Sequence, residues 1–219
     1  MVLRFASHLR FASALAACLA VAVATPGRSG TVVLQNDNVV DFGTVAIQSG
    51  FVAEERGAAW LTSPCNGDII AVRILWLSVA GGALPVLGEW IRISEAGTFP
   101  TPGPVLLELL GPQMIDGGFN EFALAPTVAI AAGQTVVVDF RFLSNPTPGL
   151  GPSLVTDIDG CQAGRNGIVS IPPTAWFSAF SVGVSGDFAI RAVVACQESG
   201  IFSDGFESGD TSAWSFVQP

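Results

Sequence analysis

The sequence contains no lysine and no tyrosine, and its single histidine, His8, lies close to the N-terminus. Only 12% of the 219 residues are charged, and the nine basic residues, all arginine, are outnumbered by 18 acidic ones. A formal charge of −9 gives the chain no basic surface for a nucleic acid, so that class of partner is excluded first. The absence of lysine excludes Schiff-base and Ser–Lys chemistry.

Residues 1–24 have the composition of a secretory signal peptide. Basic residues come first, an apolar run extends from Phe11 to Val23, and small residues precede a predicted cleavage after Ala24. The run is too short for a membrane-spanning helix, so we expect no transmembrane segment in the mature chain and a secreted location, extracellular or at the cell surface. The alternative is a lipoprotein signal, in which Cys18 becomes the lipidated N-terminus.

Removal of this segment leaves three cysteines, Cys65, Cys161 and Cys196, and no histidine. In an oxidising compartment, three cysteines predict one disulfide and one free thiol. Loop entropy does not select the pairing, because each long loop contributes ~4 to 5 kcal/mol. Cys65 and Cys161 lie in turn-forming segments, whereas Cys196 ends a predicted strand. We therefore expect a Cys65–Cys161 disulfide, with Cys161–Cys196 as the next candidate.

The remaining residues offer little for catalysis. Without histidine, the mature chain lacks the usual general base and the commonest metal ligand. No CxxC spacing is present, which argues against zinc. The acidic residues are scattered over predicted strand ends and turns, so no pair is marked for a two-carboxylate glycosidase. We expect a protein without catalytic residues and without a cofactor.

One acidic segment resembles the opening of a calcium loop. Asp157 and Asp159 alternate and are followed by Gly160, but the twelfth position, counted from Asp157, is Ile168 rather than a glutamate. A calcium site of another type at Asp157 and Asp159 is one interpretation. The simpler interpretation is a turn whose carboxylates accept backbone N–H groups.

Short apolar runs separated by Gly, Pro, Asn and Asp continue through the mature chain and indicate a sandwich or barrel. The clearest strand is Thr135–Leu143, where apolar residues alternate with Asp139 and Arg141. The segment Gly160–Gly186 is predicted to be mostly loop, interrupted by the apolar Ala175–Phe180. About eight to ten strands without a helical period predict an all-β, jelly-roll-like sandwich over residues 25–196. The other predicted strands are Thr31–Gln35, Val39–Phe42, Ala53–Leu61, Asp68–Val79, Gly88–Glu95, Val105–Leu110, Phe119–Leu124, Ser153–Asp157 and Phe188–Val194.

Several side chains on these strands have the chemistry of glycan recognition, namely stacking and bidentate hydrogen bonding. They are Arg73, Arg92, Arg141, Arg191, Trp90, Asp139 and Glu108. The simpler interpretation is a solvated face with cross-strand ion pairs, each of which contributes little stability. Alternation alone does not give the strand order that would decide between these interpretations. The candidate ligand-binding residues are Trp90, Arg92, Asp139, Arg141 and Arg191.

The composition changes after Cys196, where residues 197–219 become acidic and aromatic without strand alternation. The stretch IFSDGFESGDTSAWS, at residues 201–215, resembles a recurrent C-terminal tail of secreted proteobacterial proteins. Because that tail follows many unrelated domains, the resemblance implies export and life outside the cytoplasm rather than an activity. The segment is a candidate docking site for an export or attachment factor, and an inert tail is the alternative.

Three stretches of the body resemble secreted bacterial sandwich modules: Ile91–Pro104, Ala131–Phe140, and Trp176 together with Gly186–Val194. The resemblance implies an accessory or binding domain. We therefore expect a secreted, non-catalytic binding or surface-structural module, whose partner is a glycan or a cell-surface component. A carbohydrate-binding accessory module is the first alternative, and a two-carboxylate glycosidase-type enzyme is the second.

Overall fold

A computed structural model describes residues 30–40, 44–77, 86–143 and 153–197, and these residues form an all-β sandwich. A single 3-10 turn, Phe180–Val182, accompanies the strands in this part of the chain. The strands are β1 (Thr31–Leu34), β2 (Ala46–Ser49), β3 (Arg56–Thr62), β4 (Gly67–Trp76), β5 (Val86–Glu95), β6 (Val105–Leu110), β7 (Gln113–Met114), β8 (Gly118–Ile130), β9 (Thr135–Phe142), β10 (Ser153–Thr156), β11 (Asn166–Ser170), β12 (Ala175–Ser178) and β13 (Ile190–Cys196).

The predicted signal peptide at residues 1–24, including Cys18, lies outside the described residues. The same holds for the predicted tail from residue 198 onward. Among the residues that the structure covers, no helix is long and apolar enough to cross a membrane.

The described strands form two large antiparallel sheets and a separate two-stranded sheet. The smaller sheet has the order β1-β13-β4-β8 and the larger has the order β12-β11-β3-β9-β5-β6, while β10 pairs with β2 and β7 pairs with β5. The strand order is clearest when β2, β7, β10, β11 and β12 are left out and the other eight strands are renumbered 1 to 8 in chain order. The smaller sheet then has the order 1-8-3-6 and the larger sheet has the order 2-7-4-5. This is the strand order of a jelly roll, so the predicted fold is confirmed.

The largest departure from the predicted strands lies between Gly160 and Gly186, where β11 and β12 replace the expected loop. The Asn166-Gly167 pair has the composition of a turn, but Asn166 accepts the backbone N–H of Phe188 through its side chain. Val39 begins a predicted strand and instead lies in an irregular segment, where its N–H is donated to the Asp37 carboxylate. Local composition failed at Asn166 because its side chain bonds to a residue 22 positions away.

The core lies between the inner faces of the two sheets. The alternation of β9 directs Phe140 and Phe142 inward, and both are fully buried. Their ring centroids are 5.0 Å apart, and Phe142 also lies 6.0 Å from Trp76 of β4 and 4.5 Å from Phe51. This aromatic contact joins the sheets, and the same alternation sends Asp139 and Arg141 to the outer face of the larger sheet.

The predicted Cys65–Cys161 disulfide is wrong, because the bond joins Cys65 to Cys196 with their Cα atoms 5.8 Å apart. The register of β13 on β4 places Cys196 opposite Gly67, two residues after Cys65. The strands approach so closely that a Cβ on Gly67 would lie 2.2 Å from the carbonyl oxygen of Ala195. Cys161 is the free thiol, so the second candidate, Cys161–Cys196, is also wrong. Turn composition could not reveal a pairing that depends on strand register.

Candidate functional site

The outer face of the larger sheet carries two neighbouring rows of side chains, which the strand registers define from β12 to β6. The first row is Trp176, Val169, Arg56, Arg141, Trp90 and Leu110. The second row is Ser178, Gly167, Ala58, Asp139, Arg92 and Glu108. We call the group formed by Arg56, Trp90, Arg92, Asp139, Arg141 and Trp176 the outer-face cluster. Four of the five predicted ligand-binding residues therefore meet on one face.

Trp90 lies at the centre of the outer-face cluster and is only 2% exposed. Three guanidinium carbons surround its ring, at 3.8 Å for Arg92, 4.7 Å for Arg56 and 5.7 Å for Arg141, measured to the ring centroid. These are cation–π distances, and they explain how an outward-facing tryptophan is removed from water. The indole Nε1 is buried and has no hydrogen-bond partner among the described residues.

Two of these arginines form ion pairs at the rim. The Arg92 side chain contacts Glu108, and Nη2 of Arg141 lies 2.5 Å from Oε1 of Glu54. Arg56 forms no ion pair with any carboxylate of the described residues, and its Nε is buried without a hydrogen bond there. Its guanidinium lies between Trp90 and Trp176, with its carbon 5.9 Å from the Trp176 ring centroid. Arg56 is thus a cation held by aromatic rings.

Asp139 is 2% exposed and lies beneath this layer, and its Oδ1 has no hydrogen-bond partner within the described part of the chain. Burial raises the pKa of Asp139 to about 7; Arg56 and Arg92 oppose this shift, and Glu108 adds to it. Near neutral pH a large fraction of this carboxyl is therefore uncharged, and the arginines around it keep an excess of positive charge.

A second aromatic group adjoins the cluster. The Trp60 ring lies edge-on to Phe99 and to Trp176, with centroid distances of 4.9 Å and 6.1 Å. Its Nε1 donates a hydrogen bond to the Ala96 carbonyl at 2.8 Å. Gly167 makes room for this ring, because a Cβ at that position would lie 2.7 Å from it. Phe99 and Trp176 remain half-exposed at the edge of the layer, where a ligand can contact them.

The loop between β5 and β6 holds Phe99 in place. The backbone N–H of Thr101 donates to the Thr98 carbonyl at 2.8 Å, which closes a tight turn around Phe99. Gly97 adopts a φ of 62°, and a Cβ there would lie 2.3 Å from the Thr101 oxygen. Only glycine fits this position, so the loop reaches the aromatic layer in a defined conformation.

The fifth predicted ligand-binding residue, Arg191, lies on the other sheet. It pairs with Asp37 through two hydrogen bonds, one of them Nε to Oδ2 at 3.0 Å, and Nη2 donates to the Val39 carbonyl at 2.7 Å. The Asp37 side chain is fully buried. Arg191 therefore anchors the segment after β1. Arg73, its neighbour in register, forms an exposed ion pair with Glu121 on the same sheet.

Asp157 and Asp159 accept hydrogen bonds from the protein. Asp157 accepts the Asp187 N–H at 2.8 Å and the Asn38 N–H at 3.0 Å, and Asp159 accepts the Asn38 side-chain amide at 2.5 Å. Burial raises the pKa of Asp157 to about 6, although the two backbone N–H groups oppose the shift. Residues 30–40, 44–77, 86–143 and 153–197 contain no group of three or more metal-ligating side chains. The capping interpretation accounts for these contacts.

Asp187 completes this acidic region and was not predicted. Its carboxylate accepts the Gln162 N–H at 2.9 Å, the Gln162 side-chain amide at 2.6 Å and the Asn166 side-chain amide. Burial is the main reason why the pKa of Asp187 is raised. Burial and the Asp187 charge also raise the pKa of the nearby Cys161 thiol to about 11, which makes it a poor nucleophile.

A cavity of about 410 Å³ lies where β2, β11 and β12 meet at the end of the sandwich. Its wall is formed by Gln48, Gly50, Phe51, Glu55, Ile168, Ser170, Pro172, Pro173, Phe177 and Val182. Both oxygens of Glu55 accept backbone N–H groups, from Val52 at 2.9 Å and Ile171 at 3.0 Å. The cavity suits an apolar group, but its carboxylate is already engaged within the protein.

Comparisons with known proteins add no further constraint. No protein-family model matches the sequence, and no curated protein has a matching sequence.

Proposed function

We propose that the protein is an extracellular, non-catalytic binding module and that the outer-face cluster binds a glycan. The observation that carries the proposal is a layer of unpaired polar groups beside half-exposed aromatic rings. Asp139 Oδ1, Trp90 Nε1 and Arg56 Nε are buried without partners in the described residues, and Trp176 lies next to them. Buried polar groups are normally paired, so such a concentration is unusual for a purely structural face. A ligand would contact the partly exposed side chains above these atoms, Arg56 and Trp176.

The residue types of the cluster fit a sugar. An aromatic ring packs against the apolar face of a pyranose, and a guanidinium presents several N–H groups in a plane to hydroxyl or acid oxygens. Trp176 and Arg56 supply these two functions within 5.9 Å of each other. Carboxyl oxygens of Glu54 and Glu108 lie nearby, at the rim of the cluster, as acceptors for sugar hydroxyls.

Two observations support a role without catalysis. The sequence after residue 24 has no histidine and no lysine. The buried acids with raised pKa values outside the cluster, Asp157 and Asp187, direct their oxygens at protein N–H groups. A glycosidase requires two carboxyl groups that flank a substrate bond, and these two acids are closed off within the fold.

The Cys65–Cys196 disulfide supports an extracellular location, because structural disulfides form and persist in oxidising compartments. The acidic composition supports the same view only indirectly, since it keeps the protein soluble and away from nucleic acid. The predicted signal peptide at residues 1–24 remains a sequence-based expectation that supports secretion.

A glycan array tests the proposal. The labelled secreted protein is expected to bind a restricted set of glycans, and Trp176→Ala is expected to weaken binding at least about tenfold, which corresponds to about 1.4 kcal/mol. Arg73→Ala is the matched control, because Arg73 lies on the outer face of the smaller sheet in an exposed ion pair. A folded protein that binds no glycan, or a Trp176→Ala variant that binds unchanged, would favour a surface-structural role instead.

A further inference from the structure

Arg56 differs from the other arginines of the outer-face cluster. Arg92 pairs with Glu108 and Arg141 pairs with Glu54, whereas Arg56 has no carboxylate at ion-pair distance in the part of the chain that the structure covers. Burial lowers the pKa of Arg56; Asp139 opposes the shift and the neighbouring arginines add to it. A cation that is partly removed from water beside other cations, with no carboxylate at ion-pair distance, would be stabilised by an anion bound there.

The shape around Arg56 selects the kind of anion. A guanidinium binds a carboxylate through two parallel N–H···O bonds, because the two planar groups match in spacing. Trp176 lies on one side of the guanidinium, in the direction of the edge strand β12, and is half-exposed. A six-membered sugar ring attached directly to the bound carboxylate would therefore reach the indole of Trp176 and pack against it.

We infer that the site takes a hexuronic acid, with its carboxylate paired to Arg56 and its ring against Trp176; this inference rests on the proposed function. The two contacts define one subsite rather than a long groove. Asp139 lies beneath the subsite, opposite Arg92 in register and two residues from Arg141 on β9, where it is screened from solvent.

The charge of the whole chain limits the ligand further. With 18 acidic and nine basic residues, the protein repels a polymer that carries an acid on every sugar. Glu54 and Glu108, the ion-pair partners of Arg141 and Arg92, also lie at the rim of the cluster. The ligand that fits is therefore a largely neutral glycan with an isolated hexuronic acid, at a chain end or on a branch.

Isothermal titration of the secreted protein with three matched oligosaccharides tests this inference. One ends in glucuronic acid, the second is its methyl ester, and the third ends in glucose. The wild-type protein is expected to bind the acid at least about tenfold more tightly than either neutral compound, with a preference that falls as salt is added. Arg56→Gln is expected to bind all three equally, and Arg73→Gln is expected to keep the preference.

Each outcome has a distinct meaning, and the ligand series on wild-type protein does not depend on the folding of any variant. Equal binding of acid, ester and glucose compounds would overturn the acidic subsite while leaving glycan binding intact. No binding of any of the three, together with an empty glycan array, would overturn both proposals. An acid preference that survives in Arg56→Gln would show that another residue holds the carboxylate.

Discussion

Asp139 and Asp187 are both buried acids whose pKa values are raised by burial, but their oxygens have different surroundings. The Asp187 carboxylate accepts three hydrogen bonds from Gln162 and Asn166, which close the region between β10 and β13. Asp139 lies among guanidinium groups and has an oxygen without a partner in the described residues. The difference separates an acid whose hydrogen bonds hold the fold together from an acid with an unpaired oxygen.

This comparison also separates the functions of the two regions. A buried carboxylate that accepts several hydrogen bonds is costly to remove where a donor that it leaves behind is buried, as the Asn166 amide is beside Asp187. A buried carboxylate with an unmade bond costs stability while it is charged, so its replacement by a neutral group is expected to stabilise the fold. The two acids are therefore expected to respond in opposite directions when they are replaced.

The largest effect is expected for Asp187→Ala. Removal of the carboxylate leaves the buried Asn166 amide without its acceptor and breaks two hydrogen bonds from the exposed Gln162, so we expect a loss of about 2–4 kcal/mol of unfolding free energy. Urea denaturation measures the change. Glu121→Ala, which breaks an exposed ion pair, is the control and should cost less than about 1 kcal/mol. Equal losses in both variants would remove the distinction between the two kinds of acid.

An opposite change is expected for Asp139→Asn. Because the pKa of Asp139 is raised to about 7, the folded state binds more protons than the unfolded state between about pH 4 and pH 7. The stability from this group is complete below about pH 4 and is lost as the pH rises through about 7. The neutral amide avoids that loss, so the variant should be more stable than wild type by about 1–3 kcal/mol at about pH 8.

Urea denaturation of wild type and Asp139→Asn at about pH 8 and about pH 4 checks this sign, since the two proteins should converge at the lower pH. Part of the pH dependence should persist in the variant, because burial raises the pKa of Asp157 to about 6. If Asp139→Asn were instead less stable than wild type at about pH 8, while the two proteins were equally stable at about pH 4, Asp139 would stabilise the fold as a charged partner of the arginines.

The smallest effect concerns the free thiol beside Asp187. Burial is the main cause of the raised pKa of Cys161 and the Asp187 charge is the second, so Asp187→Asn should speed alkylation of the folded protein only about two- to fivefold. Asp139→Asn should leave the rate unchanged. The rate of iodoacetamide labelling, followed by mass spectrometry, measures both. A faster reaction in Asp139→Asn would indicate that the two acidic regions are coupled.

Much of the outer-face cluster was predictable because its members lie on two strands that pair directly. The alternation of β5 and β9 is clear in the sequence, and their register sets Asp139 opposite Arg92 and Arg141 opposite Trp90. The jelly-roll prediction succeeded for a similar reason, since short alternating strands between turn residues restrict the fold class.

The residues that were missed depend on pairings between distant parts of the chain. Arg56, Ala58 and Trp60 alternate on one face of β3, but only the β3–β9 pairing brings Arg56 to the cluster. Arg191 was grouped with the cluster because its strand has the same pattern, and strand order places it on the other sheet. The position of Cys196 opposite Gly67 is likewise a property of register. No local pattern carries this information.

The Cys65–Cys196 disulfide has a mechanical consequence. It joins the last residue of β13 to the loop that precedes β4, and these two strands are neighbours in the smaller sheet. If tension were applied through the residues that follow Cys196, β13 would otherwise unzip from β4 one hydrogen bond at a time, starting at that end. The covalent link carries the load past this starting point and into the loop after β3. A protein held by its C-terminal segment would thus keep its sandwich closed under pull.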